Sequence, residues 1–310
     1  MIKILVTGAS GFIGRGLCPY LKTKGFIVRG AVRGGVRDVE GVDEYVEVGD
    51  INESTDWRQA LTEVDAVVHL AARVHVMNDS SADPLDAFRV VNVLGVAHLA
   101  RMAAKAGIKR FVFISSIKVN GEGSSRSYSE EDSPSPEDAY GVSKREAEDV
   151  LMEIAVQTGL EVVILRLPLV YGPGVKANFR NLISMVCAGI PLPFKSVRNR
   201  RSFIYLGNVI DAIVACVTHP LAVNQIFLVS DGEDVSTARL LEMIARALNK
   251  NLFLFPFHLR FLKLVCMTIG REKEIDKLTG SLCADICKIR SLLGWKPPFT
   301  MAEGIKASVK

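Results

Sequence analysis

The chain predicts an α/β fold: a doubly wound parallel sheet that carries a smaller, discontinuous C-terminal domain. Three observations predict it. Apolar, β-rich runs alternate with helix-length segments through the first half of the chain. Those runs contain few polar residues, as strands do when helices cover both faces of a parallel sheet. After Leu167 the texture changes to Pro- and Gly-containing segments before regular patterns resume. With 310 residues, 49% hydrophobic and 23% charged, the chain has material for one large domain or two coupled ones.

The first run, "IKILVT" (2–7), is followed by a helical pattern from about Phe12 to Lys24 and then by "FIVRGAV" (26–32). Further strand runs are "EYVEV" (44–48), "DAVVHL" (65–70), "RFVFIS" (110–115) and "EVVILRL" (161–167). "PLVYGPGVKANF" and "GIPLPF" interrupt this rhythm, and "RSFIYLGNVIDAIVACV" restores a strand and a helix. From Ser230 onward the patterns are helical, closing near the "LGWKPPFT" turn (293–300). The expected division is therefore a nucleotide-binding domain over 1–167 and 203–229, with a substrate domain over 168–202 and 230–310. No internal repeat interrupts it.

Charge and composition narrow the partners. The formal charge is +4, and the 38 basic residues form no long block, so a nucleic-acid surface is not expected and a small anionic ligand is. The most apolar stretch, 251–270, is broken by Pro256, His258, Arg260 and Lys263. It reads as a core helix, and membrane contact is not expected. Met1 enters a strand pattern at once, without a basic leader and apolar segment, which predicts a cytoplasmic protein. The six cysteines form no CxxC pair and read as free, buried thiols, with Cys283 and Cys287 spaced to share a helix face. No metal site is expected.

Chemistry first shows in "VTGASGFIG" (6–14), a glycine-rich turn between a first strand and a helix. Gly8, Gly11 and Gly14, with Ser10, Phe12 and Ile13, suit a tight turn, close backbone approach to a pyrophosphate, and amides at a helix N-terminus. The predicted cofactor is NAD or NADP. The second strand ends in Val32 and Arg33, where an acidic residue would ordinarily accept from the ribose of NAD; Arg33 tilts the reading towards NADP. Asp50 and Ile51, after the third run, are candidates for the adenine.

"AYGVSKREAE" (139–148) places Tyr140 and Lys144 four residues apart on one helix face. A tyrosine, ordinarily near pKa 10, serves as a base near neutrality when a cation favours its phenolate, and Lys144 is that cation. Upstream, "FISSIKVNGE" ends a buried strand in Ser115 and Ser116.

Taken together, "TGASGFIG", "HLAA", "ISS", "YGVSK" and "RLPLVYGPG" resemble the extended short-chain dehydrogenase/reductase family, in its branch of nucleotide-sugar epimerases and dehydratases. The resemblance covers almost the whole chain. It implies a Rossmann-type domain for NAD(P), a C-terminal domain for a UDP-sugar, and a homodimer joined in a four-helix bundle by helices near 86–106 and 140–157. It also implies that Tyr140 is the acid/base, that Lys144 lowers its pKa and holds the cofactor ribose, and that Ser116 shares the hydrogen bond to the reacting oxygen. Leu70, Ala71, Ala72, Leu167 and Val170, with Pro168, would border the cofactor. Arg73, His75 and Met77 would face the sugar; Asn178, Arg201 and Lys277 would hold the diphosphate end.

Relatives that eliminate water carry Asp and Glu directly after the catalytic hydroxyl, where this chain has Ile117 and Lys118. An isoleucine donates no proton, which argues against dehydration. Leu169 replaces an asparagine of many relatives, and Leu282 or Cys283 falls where a bulky tyrosine would exclude a 2-N-acetyl group. Two reactions remain: 4-epimerisation of a UDP-hexose or UDP-N-acetylhexosamine, and NADPH-dependent 4-reduction of a UDP-4-keto-6-deoxy-N-acetylhexosamine for surface polysaccharide such as O-antigen. A non-catalytic NADP sensor would need the turn but not the Ser, Tyr and Lys set.

Overall fold

In the computed structural model, residues 1–74, 83–268, 270 and 272–309 are described, with 177, 178, 262, 265, 266 and 272–274 given by backbone alone. The chain runs β1 (Lys3–Thr7), α1 (Phe12–Thr23), β2 (Ile27–Val32), β3 (Glu44–Glu47), α2 (Arg58–Leu61), β4 (Ala66–His69), α3 (Pro84–Arg89), a π-helical segment (Val90–Gly95) and α4 (Val96–Lys105). It continues through β5 (Arg110–Ser116), α5 (Ala139–Thr158), β6 (Glu161–Leu167), β7 (Leu169–Tyr171), α6 (Ala177–Ala188), β8 (Arg201–Tyr205), α7 (Leu206–Thr218) and β9 (Gln225–Leu228). Then follow β10 (Asp234–Val235), α8 (Thr237–Ala247), α9 (Leu259–Thr268), α10 (Glu272–Thr279), α11 (Cys287–Leu293) and α12 (Met301–Ser308).

Seven strands form one sheet in the order β3-β2-β1-β4-β5-β6-β9, every pairing parallel. The two-residue period of a strand explains its two buried faces. Ile4, Val6, Val112 and Ile114 enter a core shared with Leu17 and Leu21 of α1 and Val209 and Ile213 of α7. Leu5, Phe111 and Phe113 enter the opposite core, with Leu99 of α4 and Leu151 of α5. The strand order reverses between β1 and β4, so a crevice opens at their C-terminal ends, the usual nucleotide site of such sheets.

A second sheet, β10-β8-β7, covers a third core made by Tyr171, Phe179, Phe203, Leu241 and Ile244. All of β8 pairs in this sheet, and the expected return to the large sheet at residue 203 falls inside it. The chain rejoins the large unit with α7 and β9.

Two expectations are corrected. The 251–270 stretch is not one core helix: residues 251–258 are irregular, and α9 begins at Leu259 and leaves Phe261, Leu264 and Met267 exposed. Pro256 keeps a helix from running through Phe255, because the residue before a proline avoids helical geometry. Nor are all thiols buried, since Cys187 and Cys287 are exposed; Cys283 precedes α11, so the two do not share a helix. Among the described residues one helical run, Pro84–Lys105, is long and apolar enough by composition to cross a membrane, and half of it is buried inside the protein.

Candidate active site

The glycine turn leaves β1 at Thr7 and is shaped by backbone that only glycine tolerates. Gly8 has φ +68°, and a Cβ there would lie 2.9 Å from the Ala71 amide; a Cβ on Gly14 would lie 2.4 Å from the Gly8 carbonyl. Gly11 caps α1 without any side-chain bond, so the first-turn amides are left for a ligand. Phe12, Ile13, Leu70, Leu167 and Val170 all belong to one apolar cluster. The turn therefore fits the pyrophosphate of a dinucleotide.

Two residues that sequence reading missed hold this crevice. His69 ends β4; its Nδ1 lies 2.9 Å from the Thr7 hydroxyl, which also accepts from the Ala71 amide at 3.3 Å. Burial, then the nearby Lys144 charge, push the imidazole down to about 3, so it is neutral. Asn92, buried in the π-helical segment, accepts from the Arg73 amide at 2.8 Å and donates to the Arg73 carbonyl and the Ser143 hydroxyl, each at 3.0 Å. Ser143 in turn donates to the Tyr140 carbonyl at 2.8 Å. A polar residue inside the apolar run "VVNVLGV" was the available signal, and π segments recur at functional sites.

At the adenine end, Arg33 Nε lies 3.2 Å from Asp50 Oδ1, both side chains at least 80% exposed. Ile51 packs against the second core.

The reacting end is built by β5, β6 and α5. Asp138 caps α5 by accepting from the Gly141 amide at 2.7 Å. Tyr140 stands half-buried in the first turn, its ring edge-on to Phe88 at 6.1 Å, and the Arg73 guanidinium lies 5.8 Å from the Phe88 ring. Lys144, 2% exposed, donates to the Ile114 carbonyl at 2.8 Å and lies 4.4 Å from the Phe113 ring centre. Burial lowers its ammonium to about 7, opposed by Glu148. The expected effect of Lys144 on the tyrosine is not produced by the chain alone: burial, then Asp138, push the Tyr140 phenol up. The physical reason is distance and charge. The Nζ lies 5.9 Å from the tyrosine ring centre, bonded to Ile114, and is itself only partly protonated near neutrality.

The two serines differ in burial and in partners. Ser116 is half-buried at the strand end, where its hydroxyl accepts from the Lys118 amide at 3.3 Å. Ser115 is buried and donates to Glu148, whose carboxylate is bound by Arg166 through Nη2 at 2.6 Å and Nε at 3.1 Å. Arg166 also donates to Asn120 at 3.1 Å. Ile117 is buried against Leu282 and Tyr128, so the C-terminal lobe is anchored to the strand end. The Lys118 ammonium bridges Glu122 and Asp138; burial opposes its charge, but the two carboxylates outweigh it and hold the pKa above the usual range.

Arg201 begins β8, pairs its backbone with Leu282, and donates through Nη1 to the carbonyls of Lys277 and Gly280. Burial lowers its pKa, opposed by Glu122. Lys277 is exposed and meets Arg201 through its carbonyl. Asn178 lies in the first turn of α6, and its side chain is not described; His75 and Met77 lie outside the described residues.

With this geometry in place, similarities to known proteins are informative. The chain is 48% identical, over 99% of its length and 94% of the relative's, to a UDP-glucose 4-epimerase of Vibrio cholerae. It is 27% identical to a dTDP-glucose 4,6-dehydratase of Haemophilus influenzae, covering 100% of this chain and 97% of that one. Among solved structures, MoeE5 in complex with UDP-glucose and NAD superposes with a TM-score of 0.79 at 26% identity, covering 99% and 97% of the two chains. The UDP-N-acetylglucosamine 4-epimerase of Bacillus cereus shares the fold with a TM-score of 0.81 at 22% identity over the same shares. Residues 4–230 match the NAD dependent epimerase/dehydratase family. The glycine turn, the Ser, Tyr and Lys set and these similarities agree: the protein is an enzyme and belongs to the NAD dependent epimerase/dehydratase family.

Proposed function

We propose that the protein is a UDP-sugar 4-epimerase using NAD, with Ser116, Tyr140 and Lys144 at the reacting carbon. The observation that carries this reading is the strand end itself. Ser116 and Tyr140 are both half-buried beside the crevice, while among the described residues the acidic groups bonded to Lys118 are Glu122 and Asp138. Their carboxyl oxygens accept from the Lys118 ammonium and are engaged there, while Ile117, directly after Ser116, has no proton to give to a departing hydroxyl. The 48% identity to a UDP-glucose 4-epimerase supports the same reading.

NAD, when bound, supplies a reversible two-electron oxidation at the sugar C4. Gly8, Gly11, Gly14 and the first turn of α1 would hold its pyrophosphate, with Lys144 near its ribose. Tyr140 takes the C4 hydroxyl proton and later returns it, and Ser116 donates to the same oxygen. Because the chain alone raises the phenol's pKa, Tyr140 becomes a base only in the loaded site, where a positive charge beside it favours the phenolate. Among the described residues Arg201 bonds through Nη1 alone, which leaves Nε and Nη2 to grip a diphosphate, with Asn178 at the start of α6 beside it in role. Leu282 and Cys283 present no bulky aromatic ring, which supports acceptance of an N-acetylhexosamine as well as a hexose.

Arg33 is the observation that favours the second reading, reduction of a 4-keto sugar with NADPH in surface polysaccharide synthesis. Its pairing with Asp50 is solvent-exposed and easily opened, so a 2′-phosphate has access to it. The assay that separates the two uses enzyme purified without added cofactor, offered UDP-glucose, UDP-N-acetylglucosamine and a UDP-4-keto-6-deoxy sugar. The epimerase reading expects turnover of one of the first two with no external NAD(P)H. Activity confined to the keto sugar, with NADPH consumed, overturns it.

The reading also includes a cytoplasmic homodimer joined through α3, α4 and α5. Val90 and Leu94, four residues apart on the π-helical segment, are exposed apolar side chains that such a bundle would cover.

A further inference from the structure

We propose that the C-terminal lobe docks on anionic lipid bilayers through α9 and the basic cavity leading to it. Phe261, Leu264 and Met267 are 61%, 51% and 51% exposed, and their three-residue spacing puts them along one side of the helix. Phe253, also exposed, lies on the segment that enters α9. A run of large apolar side chains left in water is unfavourable unless something covers it.

Charge identifies the cover. Arg260 and Lys263 are exposed on the same helix, Lys263 within 2.6 Å of Asp276. Upstream, a cavity of about 650 Å³ is lined by Lys195, Arg198, Arg239, Arg246 and Lys250, against one acidic residue, Glu242. Glu242 is engaged by Arg239 at 3.5 Å. The chain passes from the cavity wall at Lys250–Leu254 directly to α9. Exposed apolar side chains on α9, with Arg260 beside them and a cation-lined cavity at the head of the segment that leads into the helix, match the interface of an anionic bilayer, where the rings enter the acyl boundary and the cations meet phosphates. A second copy of this chain fits poorly, because a two-fold interface would set the same cations against each other.

The inference is independent of the sugar chemistry, since its readout needs no turnover. The full chain is floated with vesicles of phosphatidylcholine alone and of phosphatidylcholine with phosphatidylglycerol. Wild type should bind the anionic vesicles about tenfold more tightly than the neutral ones, and added salt should weaken that binding. The variant Phe261→Ser/Leu264→Ser should lose about tenfold in vesicle affinity while its activity in solution is unchanged, which shows that it is folded. Arg246→Glu/Lys250→Glu should erase the preference for anionic lipid. No flotation of wild type, equal binding to both vesicles, or unchanged binding of the serine variant overturns the proposal. So does a concentration-dependent self-association of wild type that the serine variant abolishes without any flotation, which would assign the face to a second copy.

Discussion

Arg166 on β6 and Arg201 on β8 mark two regions that handle charge in opposite ways. Arg166 and Glu148 are each 1% exposed, joined by two guanidinium nitrogens, with Ser115 and Asn120 completing the set. Arg201 is only half-buried, has no carboxylate within salt-bridge distance among the described residues, and donates one nitrogen to two main-chain carbonyls. The first arrangement commits all three guanidinium nitrogens to buried partners and rigidifies the shelf that carries Ser116, Tyr140 and Lys144. The second is held in place but not neutralised, and keeps donors for an anion. A closed network makes a platform; an open one makes a binding site.

Substitutions break that comparison in descending order of effect. Tyr140→Phe, on the shelf but at its half-buried lip, should lower turnover by roughly 10²–10⁴-fold with melting temperature and NAD binding unchanged. Steady-state assays beside calorimetry check this, and undiminished turnover refutes the assigned base. Glu148→Ala should cost about 3–5 kcal/mol of stability, because it strands a buried guanidinium, whereas Arg201→Ala should change stability by less than about 1 kcal/mol. Denaturant titration of both variants measures the contrast. Arg201→Lys should instead raise KM for the UDP-sugar by about tenfold with little change in kcat, because an ammonium does not reproduce the guanidinium fork.

Lys144 gives a pH-dependent version of the comparison. Its folded pKa of about 7 lies below the ordinary 10.5, so between those values the unfolded chain holds a proton that the folded chain has released. The resulting penalty is complete below pH 7 and fades as pH rises towards 10.5. Lys144→Met should therefore melt above wild type at pH 6, converge with it by pH 10, and have no turnover. A constant difference across that range would contradict the burial account. The smallest effect belongs to Arg33→Ser, expected to weaken NADP binding by about threefold and leave NAD unaffected, because the arginine is exposed and its pair with Asp50 is weak.

The platform was legible in the sequence because strands buried on both faces have an unmistakable pattern, and "EVVILRL" coincides with β6 residue for residue. Tyr140 and Lys144 were singled out by helical spacing, and Ser116 was preferred to Ser115 on the family resemblance rather than on any local pattern. What spacing cannot carry is which partner a polar group chooses across the fold. Asn92 to Arg73, His69 to Thr7 and Glu148 to Arg166 all join residues brought together by the sheet. The same limit explains Arg33 and Asp50, read separately as two ligands for the cofactor and found as an ion pair. The 251–270 stretch misled because its composition suits a core helix, while Pro256 keeps a helix from running through Phe255 and the lobe leaves one side of α9 uncovered.

The central claim is that the shelf removes and restores one hydrogen at C4 without exchanging it for solvent. Enzyme purified without added cofactor, given UDP-glucose carrying deuterium at C4 in ordinary water, should form the C4 epimer with the deuterium still at C4. Epimer that has lost the label to water, or no epimer from UDP-glucose or UDP-N-acetylglucosamine at all, would contradict the account.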